Sequence, residues 1–226
     1  MKIYQKTLLT TIFCVSLSIP VYSATHTPVT TFQTIMTEAK AGNAPAQYQL
    51  GSDYFYGNNV AQNYAQAIKY FKLAAQQKFA LALDSLGIAY ENGQGVKQSY
   101  AEAVKYYRAA AEQGDPWGYA LLGDLYAEGH GVKKSEKVAI DYYKKAAKLG
   151  VTWAVDKLGI LYDNGVGVKK SYLKAKDYFQ KAAAQGNKNA EYNLGVMYQQ
   201  GLGVPENSTK ATNYLTESAP HGEIEA

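Results

Sequence analysis

The sequence predicts an all-α protein: an α/α solenoid of five helical hairpins forming a right-handed superhelix, with an N-terminal capping helix. Three observations predict it. Gly51, Gly87, Gly123, Gly159 and Gly195 recur at one spacing of 36 residues. Tyr54, Tyr90, Tyr126, Tyr162 and Tyr198 follow them, each three residues on. Each copy carries two apolar stripes of helical period, separated by Gly-x-Gly-Val or a close variant. A unit this short cannot bury its apolar face alone, so neighbours must stack, and a stacked array presents a long surface. Such a surface points to binding before chemistry.

At the N-terminus, Lys2 and Lys6 precede an apolar run from Leu8 to Ile19 and then Pro20-Val21-Tyr22-Ser23, which puts small residues at −3 and −1 of a cut after Ser23. This is the pattern of a secretory signal peptide over residues 1–23. The run is shorter than the ~20 residues an uncleaved span would need. Cys14 lies behind the bulky Phe13, where a lipid-attachment signal requires a small residue. The mature chain is therefore expected to be periplasmic or secreted, with no membrane insertion after cleavage. Cleavage removes Lys2, Lys6 and the single cysteine, taking the formal charge from +4 to about +2 and leaving no thiol for a disulfide or a metal. A near-neutral balance supplies no basic field for nucleic acid. Residues 24–30 read as a linker. Residues 31–42 read as a solitary capping helix, since Gly42 lies one period before position 78.

The second unit shows the hairpin most plainly. Ala82, Leu86 and Tyr90, at i, i+4 and i+8, share one face of a first helix, A, with Gly87 beside them. A glycine inside a helix costs about 1 kcal/mol against alanine, so five copies imply a crossing where another helix comes too close for a side chain. Gly93 and Gly95 then reverse the chain, and Val96 pins the loop back. Tyr100, Ala103, Tyr107, Ala110 and Ala111 form the stripe of a second helix, B, which Gly114 stops. The fourth unit matches nearly position for position. The third has Gly118 for the first alanine and Glu136 for the helix-B tyrosine, and the first has Asn59 for a loop glycine. Lys78 in place of the closing glycine predicts a different helix ending there. In the fifth, Ser208 replaces the tyrosine and no polar cap follows, so its helix B is left partly bare or docks a partner, with self-association one outcome. The repeats span 43–222, and 223–226 form a tail. The excess of Tyr (21) over Phe (6) suits rings that bury their bodies and keep a hydroxyl at the edge.

The pattern Leu-Gly-x2-Tyr-x2-Gly-x-Gly-Val followed by Tyr-x2-Ala-x2-Tyr-Tyr/Phe-x2-Ala-Ala-x2-Gly, over about residues 43 to 222, resembles the Sel-1-like repeat. That repeat is a relative of the tetratricopeptide repeat, whose unit is two residues shorter and lacks the Gly-x-Gly-Val loop. The resemblance implies an adaptor or scaffold whose first helices line a concave inner surface. Exported bacterial members of the family are often linked to envelope processes, secretion or host contact. Some cysteine-rich secreted relatives are described as penicillin-binding or β-lactamase-like, but they carry paired cysteines that this mature chain lacks.

Chemistry is sparse. Ser171-Tyr172-Leu173-Lys174 matches the Ser-x-x-Lys pattern of active-site serine β-lactamases, which makes a β-lactamase-like or peptidoglycan-related hydrolase the alternative function. Ser171 aligns with Ser99 and Ser135, which lack the lysine, and all three precede helix B, where serine caps exposed N–H groups. No Lys-Thr-Gly or Ser-Asp-Asn partner exists in the chain. His26, His130 and His221 are scattered, and read as solvent-facing loop residues rather than a triad or metal pair. Gly93-Gln94-Gly95 follows no strand and lacks the third glycine of a dinucleotide site. Asn207-Ser208-Thr209 reads as a helix start rather than a glycosylation acceptor. No catalytic residue, cofactor or metal is assigned.

By analogy with the tetratricopeptide hairpin, positions equivalent to 45, 48, 52, 55 and 56 of helix A face the concave side. The candidate partner-binding residues are Tyr48, Asp84, Glu91, Trp117, Asp124, Glu128, Trp153, Asp156, Asp163 and Tyr192. Helix B carries Lys69, Lys72, Lys105, Arg108, Lys144, Lys145, Lys148 and Lys181, so the two faces read as oppositely charged. Aromatic anchors among carboxylates suit a protein or peptide segment with apolar and Lys or Arg side chains. Lys157 and Lys188 interrupt the acidic face, which argues against a uniformly cationic ligand. Trp117 and Trp153, one period apart, either line this groove or pack between neighbouring hairpins.

Overall fold

The computed structural model describes residues 32–218, so the expected signal peptide (1–23), linker (24–30) and tail (223–226) lie outside the described residues. Within them the chain forms eleven helices and no strand. A lone helix, α1 (Phe32–Lys40), precedes five hairpins. The A helices are α2 (Ala44–Tyr56), α4 (Ala80–Asn92), α6 (Pro116–Glu128), α8 (Thr152–Asn164) and α10 (Lys188–Gln200). The B helices are α3 (Tyr64–Gln76), α5 (Tyr100–Glu112), α7 (Glu136–Lys148), α9 (Tyr172–Ala183) and α11 (Ser208–Ser218). Each helix packs chiefly on the one before and the one after it, so the core is a series of local clusters rather than one centre.

The boundaries follow from local chemistry. Asn63, Ser99, Ser135 and Ser171 cap the B helices, each side-chain oxygen accepting a backbone N–H of the first turn. Asn207 does the same for α11, accepting from Lys210 N at 2.9 Å. Asn43, Asp115 and Asn187 cap α2, α6 and α10. Lys78 corrects the expectation of a different helix ending. It adopts φ 60°, the left-handed conformation of Gly114, Gly150 and Gly186, and its neighbour Phe79 donates to Ala74 O as Asp115 does to Ala110 O. The helix ends identically, with a residue that pays a steric penalty there.

The repeated helix-A glycine marks a close approach, but by a side chain rather than a helix backbone. A Cβ at Gly51, Gly123 or Gly159 would sit 2.5–2.6 Å from the ring of Phe71, Tyr143 or Phe179, and Gly87 meets Tyr107 in the same way. In the last repeat the knob is Leu215. One turn further along, the repeated tyrosine stacks on a helix-B tyrosine in all five hairpins, with centroids 5.4–6.0 Å apart. The second loop glycine joins hairpins to each other. A Cβ at Gly95, Gly131, Gly167 or Gly203 would strike the first turn of the preceding hairpin's helix B, at Tyr64, Tyr100, Glu136 or Tyr172.

Candidate functional site: the helix-A face

The ten candidate residues all project from α2, α4, α6, α8 and α10, but they differ sharply in exposure. Trp117 and Tyr192 stand in solvent at 38% and 55% exposure. Trp153 is half-buried, edge-on to Tyr143 with centroids 5.9 Å apart, and Lys157 Nζ lies 5.0 Å from its ring centroid. Trp153 thus packs against the neighbouring hairpin, whereas Trp117 stands exposed. Tyr48 is half-buried against Phe71 and Phe79, at 6.0 and 5.4 Å.

The carboxyls are a correction to the expected acidic surface. Asp84 and Asp156 are only 6% and 3% exposed. Neither oxygen of Asp84 receives a hydrogen bond, and burial, with Asp115 beside it, pushes its pKa up to about 10. Asp156 is raised to about 6 by burial, with Lys157 opposing. Asp124 is raised to about 7, again by burial, with Lys157 and a hydrogen bond from Tyr143 opposing. Glu91 and Asp163 are also pushed up by burial. Near neutral pH this face therefore carries less negative charge than its residue types suggest. Glu128 remains exposed. The helix-B cations Lys69, Lys72, Lys105, Arg108, Lys144, Lys145, Lys148 and Lys181 are all exposed, as expected.

Several participants were not legible in the sequence. The hydroxyls of Tyr107, read only as part of the helix-B stripe, and of its third-unit equivalent Tyr143 donate to Glu91 Oε2 and Asp124 Oδ1, each at 2.7 Å. The signal was available: position 71 of the repeat is Tyr in the units with Glu91 and Asp124, and Phe in the first and fourth. In the fourth unit the equivalents are Asp163 and Phe179, which has no hydroxyl to donate, and Asp163 Oδ1 has no hydrogen-bond partner. His130 lies in the loop after α6 with its side chain 40% exposed, and it also makes a contact that the sequence did not suggest. Its ring stacks on Tyr100 of the preceding hairpin at 4.3 Å, with Nδ1 2.9 Å from Glu128 Oε2. Glu91 of α4 thus feels the charges of Glu128, at the end of α6, and of His130 in the loop beyond it, and Asp124 feels those of Glu91 and Glu128.

Ser171 and Lys174 are not arranged as nucleophile and base. Ser171 Oγ accepts from Lys174 N at 3.4 Å as a helix cap, while Lys174 Nζ lies 5.1 Å from the Tyr162 ring centroid. Among the described residues, no group of three or more His, Cys, Asp or Glu is placed to hold a metal ion, and no helix is long and apolar enough to cross a membrane.

Comparison with known families matches the Sel1 repeat over residues 44–79, 80–115, 118–151, 154–187 and 188–222, in phase with the hairpins. Among solved structures, a Sel1 repeat protein from Oxalobacter formigenes is 36% identical with a TM-score of 0.79, over 83% of this chain and 77% of that one. The c5321 protective antigen of uropathogenic Escherichia coli, which displays the same repeat fold, is 36% identical with a TM-score of 0.77 over 82% of this chain. The match spans 40% of that antigen's length. An immunity protein from Pseudomonas aeruginosa shares the fold at 21% identity and a TM-score of 0.58, over 83% of this chain and 72% of that one. No curated protein matches the chain. Sel1 repeat proteins are in general protein-interaction scaffolds, and their fold is typically non-catalytic. Hairpin geometry, the glycine-marked contacts and matches covering residues 44 to 222 all converge: the chain belongs to the Sel1 repeat family.

Proposed function

We propose that the protein is a non-enzymatic adaptor of the bacterial envelope or secreted space, binding a protein or peptide segment along its concave helix-A face. One observation carries the reading. The exposed aromatic side chains among the described residues, Tyr56, Trp117 and Tyr192, all sit at the helix-A positions that the repeat register assigns to that face. Exposed rings on rigid helices supply binding area at little entropic cost, and they gather where partners dock. Glu128 and the half-buried Glu91 beside Trp117's helix favour a segment with Lys or Arg among apolar residues. Export is supported by the residue pattern of 1–23 and by likeness to an E. coli protein described as a protective antigen.

The test is site-specific photo-crosslinking in the envelope fraction, from position 56 or 128 on helix A and from position 108 on helix B. A partner should be captured from the helix-A positions and lost with Trp117→Ala plus Tyr192→Ala, while circular dichroism stays unchanged. Equal capture from position 108 would refute the assignment of the face. Mass measurement of the exported chain should show cleavage after Ser23. Self-association through the last hairpin, where α11 buries Ala211 alone among its described residues, would appear as concentration-dependent sedimentation.

A further inference from the structure

Between α7, α8 and α9, lined by none of the helix-A positions assigned to the partner-binding face, the structure contains a cavity of about 230 Å³. Val155 and Leu158 line it from α8, Tyr178 from α9, and Lys144, Lys148 and Lys181 surround it. The repeat register explains why it exists. The helix-A position held by Val155 is Leu83, Tyr119 and Glu191 in the other hairpins that follow a helix B. At the preceding junction, Tyr119 occupies the corresponding place, its ring 6.4 Å from Tyr142 and 5.5 Å from Lys145 Nζ. Tyr142 and Lys145 are the equivalents of Tyr178 and Lys181, and both lysines sit beside their tyrosine, at 5.6 and 5.7 Å. The surroundings are thus repeated while the ring is not. Val155, one branch shorter than Leu and far smaller than Tyr, leaves the ring's place vacant.

The charge at this junction is equally particular. The equivalents of Lys144, Lys148 and Lys181 are Lys72, Gln76 and Ala109 at the first junction, Arg108, Glu112 and Lys145 at the second, and Gln180, Ala184 and Glu217 at the last. Three lysines line the cavity at this junction, where Val155 stands in the place that Tyr119 fills one junction earlier, and none of the three makes an ion pair among the described residues. Uncompensated cations around an apolar floor repel one another, and an anion placed among them relieves that repulsion.

We propose that this cavity binds a small aromatic anion: one six-membered ring in the space that Tyr119 fills at the preceding junction, carrying a carboxylate or phosphate ester toward Lys144, Lys148 and Lys181. The size supports a small ligand, since drug-sized molecules occupy pockets of about 300 Å³ and more. The site is independent of the helix-A face, so its failure would leave the adaptor reading standing.

Phenyl phosphate is the probe, with phenol and inorganic phosphate as its neutral and ring-free halves, followed by the methyl NMR signals of Val155 and Leu158 in the full chain. Phenyl phosphate should shift both methyl sets saturably, with a Kd on the order of 0.1–10 mM for so small a ligand, and added salt should weaken it. The variant K144Q/K148Q/K181Q should weaken binding about tenfold or more, while phenol affinity stays unchanged. Val155→Tyr, which restores the ring of the preceding junction, should abolish binding and keep or raise the melting temperature. The proposal falls if inorganic phosphate shifts the methyls as strongly as phenyl phosphate, if V155Y binds undiminished, or if no saturable shift appears.

Discussion

At the scale of single residues, the repeat acts as its own control, because a departure from the pattern can be judged against four equivalents. Lys78 holds a left-handed φ of 60° where three later units use glycine. Lys78→Gly removes the Cβ clash without disturbing the bonds that end α3, so it should stabilise the fold by about 1 kcal/mol, read as a rise in melting temperature. Asp84 is the reverse case, a carboxyl placed where burial disfavours its charge. Its folded-state pKa of about 10 lies above the ordinary 3.8, so between those values the native state keeps a proton that the unfolded chain has released. Stability should therefore fall as pH rises through this window, with Asp124 and Asp156 adding to the decline in its lower half. Asp84→Asn should be more stable than the wild type at pH 8, by on the order of 1–3 kcal/mol, and no more stable at pH 4. Urea titrations at the two pH values decide it, and an equal effect at both would show that packing, not charge, governs the site.

At the scale of the helix, caps and close contacts fix where each element begins and how near it comes to its neighbour. Ser171 ends its hydroxyl's role at the first turn of α9. Ser171→Ala should cost about 1 kcal/mol, as Ser99→Ala and Ser135→Ala should, and leave turnover of a chromogenic β-lactam at background before and after mutation. A turnover that depended on Ser171 would overturn the cap assignment. Gly118 shows a packing limit that sequence comparison alone leaves unexplained. The other units have alanine there, but a Cβ at 118 would lie 2.7 Å from Ala111 N and 2.9 Å from Tyr107 O. Helix α6 thus sits against the backbone of α5, which cannot yield as a side-chain tip can. Gly118→Ala gains helix propensity of about 1 kcal/mol, yet should be net destabilising by about 1–3 kcal/mol through overpacking. The reciprocal change in another hairpin, Ala154→Gly, should lose the propensity term and the burial of a fully enclosed methyl group, about 2 kcal/mol together.

At the scale of the whole molecule, stability is a sum of hairpins and of the junctions between them. The second loop glycine is a junction residue, since at Gly131 an added Cβ would fall 2.6 Å from the Tyr100 carbonyl carbon. Gly131→Val in the middle of the array should split urea unfolding into two transitions, each with a smaller m-value, whereas Gly203→Val should fray the last hairpin alone. One unbroken transition in the G131V chain would mean that the junctions are stronger than the loop contact implies. The array was legible before any coordinates because period, apolar stripe, loop glycines and helix caps are all local and repeat five times over, so each copy confirms the others. The face was legible only as a set of positions. Whether a residue on it meets solvent depends on the hairpin next door: Trp117 stands free while Trp153 leans on Tyr143, and Asp84 and Asp156 sink beneath a surface on which Glu128 stays exposed. His130 stacks on Tyr100 of the preceding hairpin for the same reason, while its side chain stays 40% exposed. The sequence by itself determined the hairpin, its ends and its repetition, since these rest on backbone hydrogen bonding and periodicity within one unit. Only the tertiary structure decided which carboxyls keep their charge and which rings remain exposed, because desolvation is set by contacts between units, and no single unit encodes its neighbour.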